Sequence, residues 1–177
     1  MRIIAGQWGG RNFASPHSHR THPMSEKARG ALFNTLGDIQ GLHLLDAFGG
    51  SGALALEAAS RGANPVLVIE KDRVAQAIIA QNIRTLGAKG AVTLASAAAG
   101  AWLATQPEAR FDIILCDPPY DDLQPHLLQL LSARLQPNGI FVLSLPASAP
   151  SLTFPHTELL KQQHYGDAQL LFFRQKK

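Results

Sequence analysis

Between Leu42 and Leu145 the chain alternates short apolar runs with amphipathic stretches, and that alternation restricts the fold more than any other feature. Residues 42–45, 65–69, 91–95, 111–116 and 140–145 read as buried strands. Residues 53–61, 72–86, 98–105 and 123–135 read as the helices between them, with Gly62 a stop signal and Asp72 a cap. Strands separated by helices predict an α/β fold, a parallel sheet covered on both faces. A chain of 177 residues, 46% hydrophobic and 16% charged, has enough apolar matter for one core. It needs no disulfide, and its single cysteine, Cys116, cannot form one within the chain.

The two ends depart from this rhythm. Residues 2–5 and 11–14 read as a short hairpin turned by Gly6, Gly9 and Gly10. Ser25 then caps a helix whose apolar face is Ala28, Ala31, Leu32 and Leu36 and whose stop is Gly37. The sequence therefore divides into an amino-terminal extension, 1–37, and a sheet domain, 38–177. From about residue 158 to 174, two runs around Gly166-Asp167 predict a closing hairpin. Residues 90–107 are uncharged but mostly Ala, Ser and Gly, and residues 136–157 are broken by four prolines, so neither reads as a membrane span. A soluble, cytoplasmic protein is the expectation.

Charge is unevenly placed. Residues 1–34 carry Arg2, Arg11, Arg20, Lys27 and Arg29 against Glu26 alone, while the whole chain is only +3. A basic segment on a near-neutral body points to a polyanion, with a merely solvated arm as the alternative.

Three motifs sit at strand ends. After the first strand comes Asp46-Ala47-Phe48-Gly49-Gly50-Ser51-Gly52, then a helix. Its glycines allow a tight turn and a close ligand approach, and the helix offers free N–H groups, although a plain strand–helix turn has the same look. No Gly-Lys-Ser/Thr follows, which counts against a nucleoside triphosphatase. Glu70 ends the second strand, where an acid can accept both hydroxyls of a ribose. Asp46 stands where a dinucleotide site opens with glycine. An acid, then glycines, then an acid suits S-adenosylmethionine, which has an ammonium and a ribose but no pyrophosphate.

Asp117-Pro118-Pro119-Tyr120 follows the fourth strand directly. The prolines fix the turn and remove two donors, so carbonyls can face a ligand amine. An ionised Asp117 only accepts, and so can hold an exocyclic amine, while Tyr120 can stack on a base. A sulfonium is a good leaving centre, so positioning and electrostatics would supply most of the catalysis.

With these motifs the chain resembles the S-adenosylmethionine-dependent methyltransferases that carry Asp/Asn-Pro-Pro-Tyr/Phe. More closely, it resembles the RsmD-type guanine-N2 methyltransferases of 16S ribosomal RNA. The likeness runs through MRIIAGQWGGR, SEKARGALFNTL, LLDAFGGSGALALEAASRGA, VIEKDRVA, FDIILCDPPY and YGDAQLLFFR. It implies a Rossmann-like, seven-stranded, mostly parallel sheet whose last two strands form a hairpin. It implies a cofactor site at Asp46, Phe48, Gly49, Gly50, Ser51, Gly52, Glu70, Lys71, Ser96, Ala97 and Asp117. Catalysis is expected from Asp117, Pro118, Pro119 and Tyr120. Contacts to 16S rRNA, within a partly or fully assembled small subunit, are expected from Arg2, Arg11, Arg20, His22, Lys27 and Arg29.

Departures from the family pattern fall at His22, Met24, Gly30, Gly49, Ala97 and Ser144. Two other readings stay open, a DNA adenine-N6 methyltransferase and a non-catalytic RNA-binding assembly factor on the same fold. His17, His19 and His22 lie close in sequence without a cysteine or acidic partner, so no metal is expected. Cys116 reads as a small core residue and Asn82 as a local cap or bridge. Trp8 is either an RNA stacker or the closure of the hairpin. Asp121 and Asp122 read as caps of the following helix.

Overall fold

The structure is a computed structural model and describes residues 1–15, 24–150 and 152–177. Its elements run α1 (Glu26–Leu36), β1 (Leu44–Asp46), α2 (Ala53–Ser60), β2 (Val66–Glu70), α3 (Arg73–Leu86), β3 (Val92–Ser96) and α4 (Ala99–Thr105). They continue with β4 (Phe111–Cys116), α5 (Pro125–Ser132), β5 (Leu135–Pro146), β6 (Thr157–Tyr165) and β7 (Ala168–Gln175). The sheet order is β3-β2-β1-β4-β5-β7-β6. β1 to β5 pair in parallel, and β7 runs antiparallel to both β5 and β6. This is the α/β sheet that the strand–helix alternation predicts, with the Rossmann-like seven strands that the family resemblance implies.

Alternation along the strands splits the core in two. Leu44, Ile113, Leu115 and Val142 face one apolar cluster with α2 and α3. Leu45, Ile114, Cys116, Phe141 and Leu143 face another with α4 and α5. Side chains of period two send neighbours to opposite faces, so continuous apolar runs are what a doubly covered sheet requires. Ile3, Phe13, Leu32 and Phe33 lie in the first cluster, so the extension packs into the sheet's own core.

Helix ends follow the predicted caps at α1 and α3. Ser25 Oγ accepts from Ala28 N at 3.1 Å, and Asp72 Oδ1 accepts from Ala75 N at 2.9 Å. Gly87 closes α3 in the left-handed region with φ 73°. α5 departs from expectation. It starts at Pro125, with Gln124 rather than Asp121 or Asp122 at the cap, and it ends before Leu135. Proline's fixed φ sets the first turn, and Leu135 leaves the helix to pair with Phe111.

The amino-terminal hairpin is also looser than expected, with a single bridge between Arg2 and Asn12. Its missing ladder has a cause. Ile4 and Ala5 give their N–H groups to the Glu57 carboxylate at 2.8 and 3.1 Å. Gln7 N–H goes to the Ser60 carbonyl and Trp8 N–H to Ser60 Oγ. Donors spent on α2 are unavailable to a partner strand. Gly6 is the residue that lets the arm lie there: its φ is +84°, and a Cβ would stand 1.9 Å from the Ser60 carbonyl oxygen.

Candidate active site

The chain turns back at β1. It goes outward through β2 and β3, then returns to lay β4 on the other side of β1. Loops leaving β1 and β4 therefore part in opposite directions and open a crevice at the carboxyl ends of the strands. Asp46 is the last residue of β1, Glu70 of β2 and Ser96 of β3, and Asp117 directly follows β4. Four of the residues predicted from sequence thus meet at one edge.

Asp46 is fully buried. Its Oδ2 accepts from Ala55 N at 3.2 Å, and its Oδ1 has no hydrogen-bond partner among the described residues. Burial pushes its carboxyl up to about 7, against the pull of the Phe48 and Ala55 N–H groups. A buried acceptor left open beside a cleft is what an incoming ammonium group would complete.

The glycine loop is held from both sides. Glu70 Oε2 accepts from Gly50 N at 2.7 Å, and its Oε1 accepts from Asp72 N at 2.8 Å. Each oxygen keeps a further lone pair, so the carboxylate that ties the loop can still receive a hydroxyl. The glycines do different jobs. Gly50 has φ +53° with open space where a Cβ would be, which leaves its backbone approachable. Gly49 needs no unusual φ; a Cβ there would come within 2.6 Å of Val68 and 2.9 Å of Ile79, so its absence seats the loop on β2 and α3. Gly52 starts α2 at φ +79°, and Phe48 is half-buried against the second cluster. Ser51 donates its hydroxyl to the Met1 thioether at 3.4 Å, so its side chain is engaged with the arm. Lys71 is exposed on the rim. Ser96 pairs in register with Glu70, and Ala97 N–H donates to the Glu70 carbonyl.

Beyond the crevice lies a cavity of about 280 Å³. Asp117, Tyr120 and Ser144 form one wall, Met24, Ser25 and Ala28 of the α1 entrance a second, and Tyr165, Asp167, Ala168 and Leu170 a third. Pro118 is buried, while Pro119 and Tyr120 are exposed. The Tyr120 hydroxyl lies 2.9 Å from Ser144 Oγ. Burial raises Asp117 to about 6, and the adjacent Ser144 hydroxyl opposes the rise. A larger groove, of about 410 Å³ and lined by Asn138, Glu158, Arg174 and Lys176, sits at the other end of the sheet.

The family model described as Conserved hypothetical protein 95 matches residues 1–174. A ribosomal RNA small subunit methyltransferase D of Haemophilus influenzae is 30% identical over 172 residues, 94% of this chain and 89% of the relative. The protein of that name from Escherichia coli K12 is 40% identical over 140 residues, 78% of this chain and 68% of the relative. The chain belongs to this methyltransferase family. A solved candidate methyltransferase of the family's fold, yhhF of Escherichia coli, superposes with a TM-score of 0.89 at 30% identity, covering 99% of this chain and 98% of that one.

Against that family background, the basic residues separate into three groups. Arg2 and Lys27 are exposed, Arg2 in an ion pair with Glu26 at 2.9 Å. Arg11 donates to the carbonyls of Thr85 and Leu86 at 2.6 and 3.2 Å, which caps the end of α3. Arg29 does not fit the expected phosphate contact. Its side chain is fully buried, faces Glu57 at 3.7 Å and donates to the Arg2 carbonyl. Its position with Ala28, Leu32 and Phe33 on one helix face was the signal of burial. Arg20 and His22, with the histidine cluster they belong to, lie outside the described residues. Among the described residues no group of three potential metal ligands occurs, and no helix is long and apolar enough to cross a membrane.

Several residues take roles that the sequence did not reveal, Ser144 standing there only as a departure from the family pattern and Asp167 only as a turn residue. Glu57 is a lone acid inside apolar ALALEAAS, and burial of such an acid demands a partner. Ser144, Tyr165 and Asp167 reach the cavity only because β5 and β7 lie beside β4. Asn82 bridges across the fold rather than locally. Its amide exchanges hydrogen bonds with Ala14 and also donates to the Ser51 carbonyl. Trp8 packs on the first cluster, and Cys116 is buried with its thiol pushed up by desolvation.

Proposed function

We propose that this protein transfers a methyl group from S-adenosylmethionine to the exocyclic N2 amine of a guanine in small-subunit (16S) ribosomal RNA. A partly or fully assembled small subunit is its substrate. The observation that carries the reading is the unpartnered oxygen of buried Asp46 at the end of β1, next to the strand β4 that runs into Asp117-Pro118-Pro119-Tyr120.

The residues present fit the cofactor. Asp46 would take the ammonium of its methionine end, Glu70 the ribose hydroxyls, and the backbone at Ser96 and Ala97 the adenine edge. Phe48, Gly49, Gly50, Ser51, Gly52 and Lys71 would line its path. When bound, S-adenosylmethionine supplies a methyl group activated by a sulfonium. Asp117 accepts one N–H of the target amine and the Pro118 carbonyl accepts the other, which aims the nitrogen lone pair at the cofactor side. Pro119 holds the turn. Tyr120 stacks on the base, its hydroxyl fixed by Ser144. The amine sheds its proton to solvent only as the new N–C bond forms, so Asp117 acts by orientation and charge. Arg2 and Lys27 would contact phosphates, joined by Arg20 and His22.

Labelled S-adenosylmethionine offered with unmodified small subunits, naked 16S rRNA, duplex DNA and a protein extract tests this. Label recovered as 2-methylguanosine from subunits is the expected result. Label recovered only as N6-methyladenine in DNA, or bound cofactor with no transfer, would overturn it.

A further inference from the structure

We infer that Asp167, on the turn between β6 and β7, reads the N1–H of the target base and so selects guanine. This rests on the proposed function and names the residue that gives it specificity. Asp167 and Asp117 line the same cavity. Both carboxylates are close enough to Tyr120 to raise its phenol, after burial. The cavity wall contains no Lys, Arg, His, Asn or Gln among the described residues. Of its hydroxyls, Tyr165 donates to Gln163, one member of the Tyr120–Ser144 pair donates to the other, and Ser25 Oγ accepts from Ala28 N–H at the start of α1. Among the described residues its only acidic side chains are the two carboxylates, which accept, and its only side-chain donors are hydroxyls, which can rotate to accept as well.

The nucleobases differ on this point. Beside its exocyclic amine, guanine carries N1–H, a second donor. Adenine carries N1 and cytosine N3, both acceptors. Two carboxylates lining one cavity can satisfy two donors on the same base edge, and the second repels a lone pair presented to it. If Asp117 holds the amine, Asp167 is the acceptor left for its neighbour. Tyr120 and Tyr165 border the same space, giving the base aromatic surface to lie against. The turn itself does not need the carboxylate. Gly166 supplies the positive φ of 63°, and the Asp167 contact to Ala147 N–H is made by its backbone carbonyl.

The test compares two reconstituted small subunits, one with guanine at the methylated position and one with 2-aminopurine. The analogue keeps the 2-amine but presents N1 as an acceptor. The wild-type protein should prefer guanine by roughly 10- to 100-fold. Asp167→Asn, whose amide can donate, should bring that ratio toward one while leaving S-adenosylmethionine affinity and the melting temperature unchanged. Asp167→Ala should slow guanine methylation without improving use of the analogue. Wild-type methylation of guanine with an unchanged ratio in Asp167→Asn overturns the role of Asp167 alone. Absence of wild-type methylation on guanine overturns the proposed function, and this inference with it.

Discussion

Asp46 and Asp117 are both carboxyls held above their ordinary range by burial, one to about 7 and the other to about 6. Their pH signatures should separate. An ammonium ligand needs Asp46 ionised, so cofactor binding should release a proton near neutrality. Affinity should rise with pH up to about 7 and then level off. Calorimetry in buffers of different ionisation enthalpy checks this, and Asp46→Asn should both weaken binding and flatten the dependence. The stability sign is opposite. A folded-state pKa above the unfolded value means the native state holds the proton more tightly, so these two groups make the free protein less stable as pH climbs from about 4 to 7. Asp117→Ala should abolish turnover and leave cofactor binding largely intact. Loss of both together, measured on one preparation, would show that the residue only supports structure.

At the scale of elements, α2 holds the arm in place. Glu57 accepts from Ile4 N and Ala5 N, pairs with Arg61 at 2.8 Å and faces buried Arg29 at 3.7 Å. Removing one member of such a set leaves the others buried without a counter-charge, which costs about 3–5 kcal/mol. Glu57→Ala should lower unfolding stability in denaturant by that order and free the arm for proteolysis. Gly6→Ala should release the same contact by another route, because a Cβ meets the Ser60 carbonyl and the positive φ is strained; a cost of about 2–4 kcal/mol is expected. Both changes should also disturb the glycine loop, since Asn82 links Ala14 of the arm to Ser51. A variant that lost the arm yet bound cofactor with wild-type affinity would contradict that linkage.

For the whole molecule, the Arg2–Glu26 ion pair brings exposed Arg2 to the start of α1, where Lys27 is exposed and Met24, Ser25 and Ala28 line the cavity. RNA-subunit affinity should fall with salt, and replacing Arg2 or Lys27 by Ala should reduce the slope of log K against log salt by about 1 each. Arg29→Ala should instead act through stability, because its guanidinium never reaches solvent. Measuring the slope and the melting temperature for the three variants distinguishes these outcomes.

Sequence alone determined whatever depends on short stretches of chain. The βα alternation, the caps at Ser25 and Asp72, the strand-end acids and Asp117-Pro118-Pro119-Tyr120 were legible because local periodicity and turn chemistry set them. The closing hairpin was legible from Gly166-Asp167, and the family resemblance added its place as the last two strands of a seven-stranded sheet. Tertiary structure decided what depends on distant elements meeting. Arg29 looked like a surface cation until Glu57 was found across the interface, 28 residues later. The arm's ladder was lost to α2, and Ser144, Tyr165 and Asp167 reached the cavity through the β5-β7-β6 edge. The physical reason is the same in each case. A buried charge, or a wall of a cavity, is defined by its partners, and no local pattern specifies those.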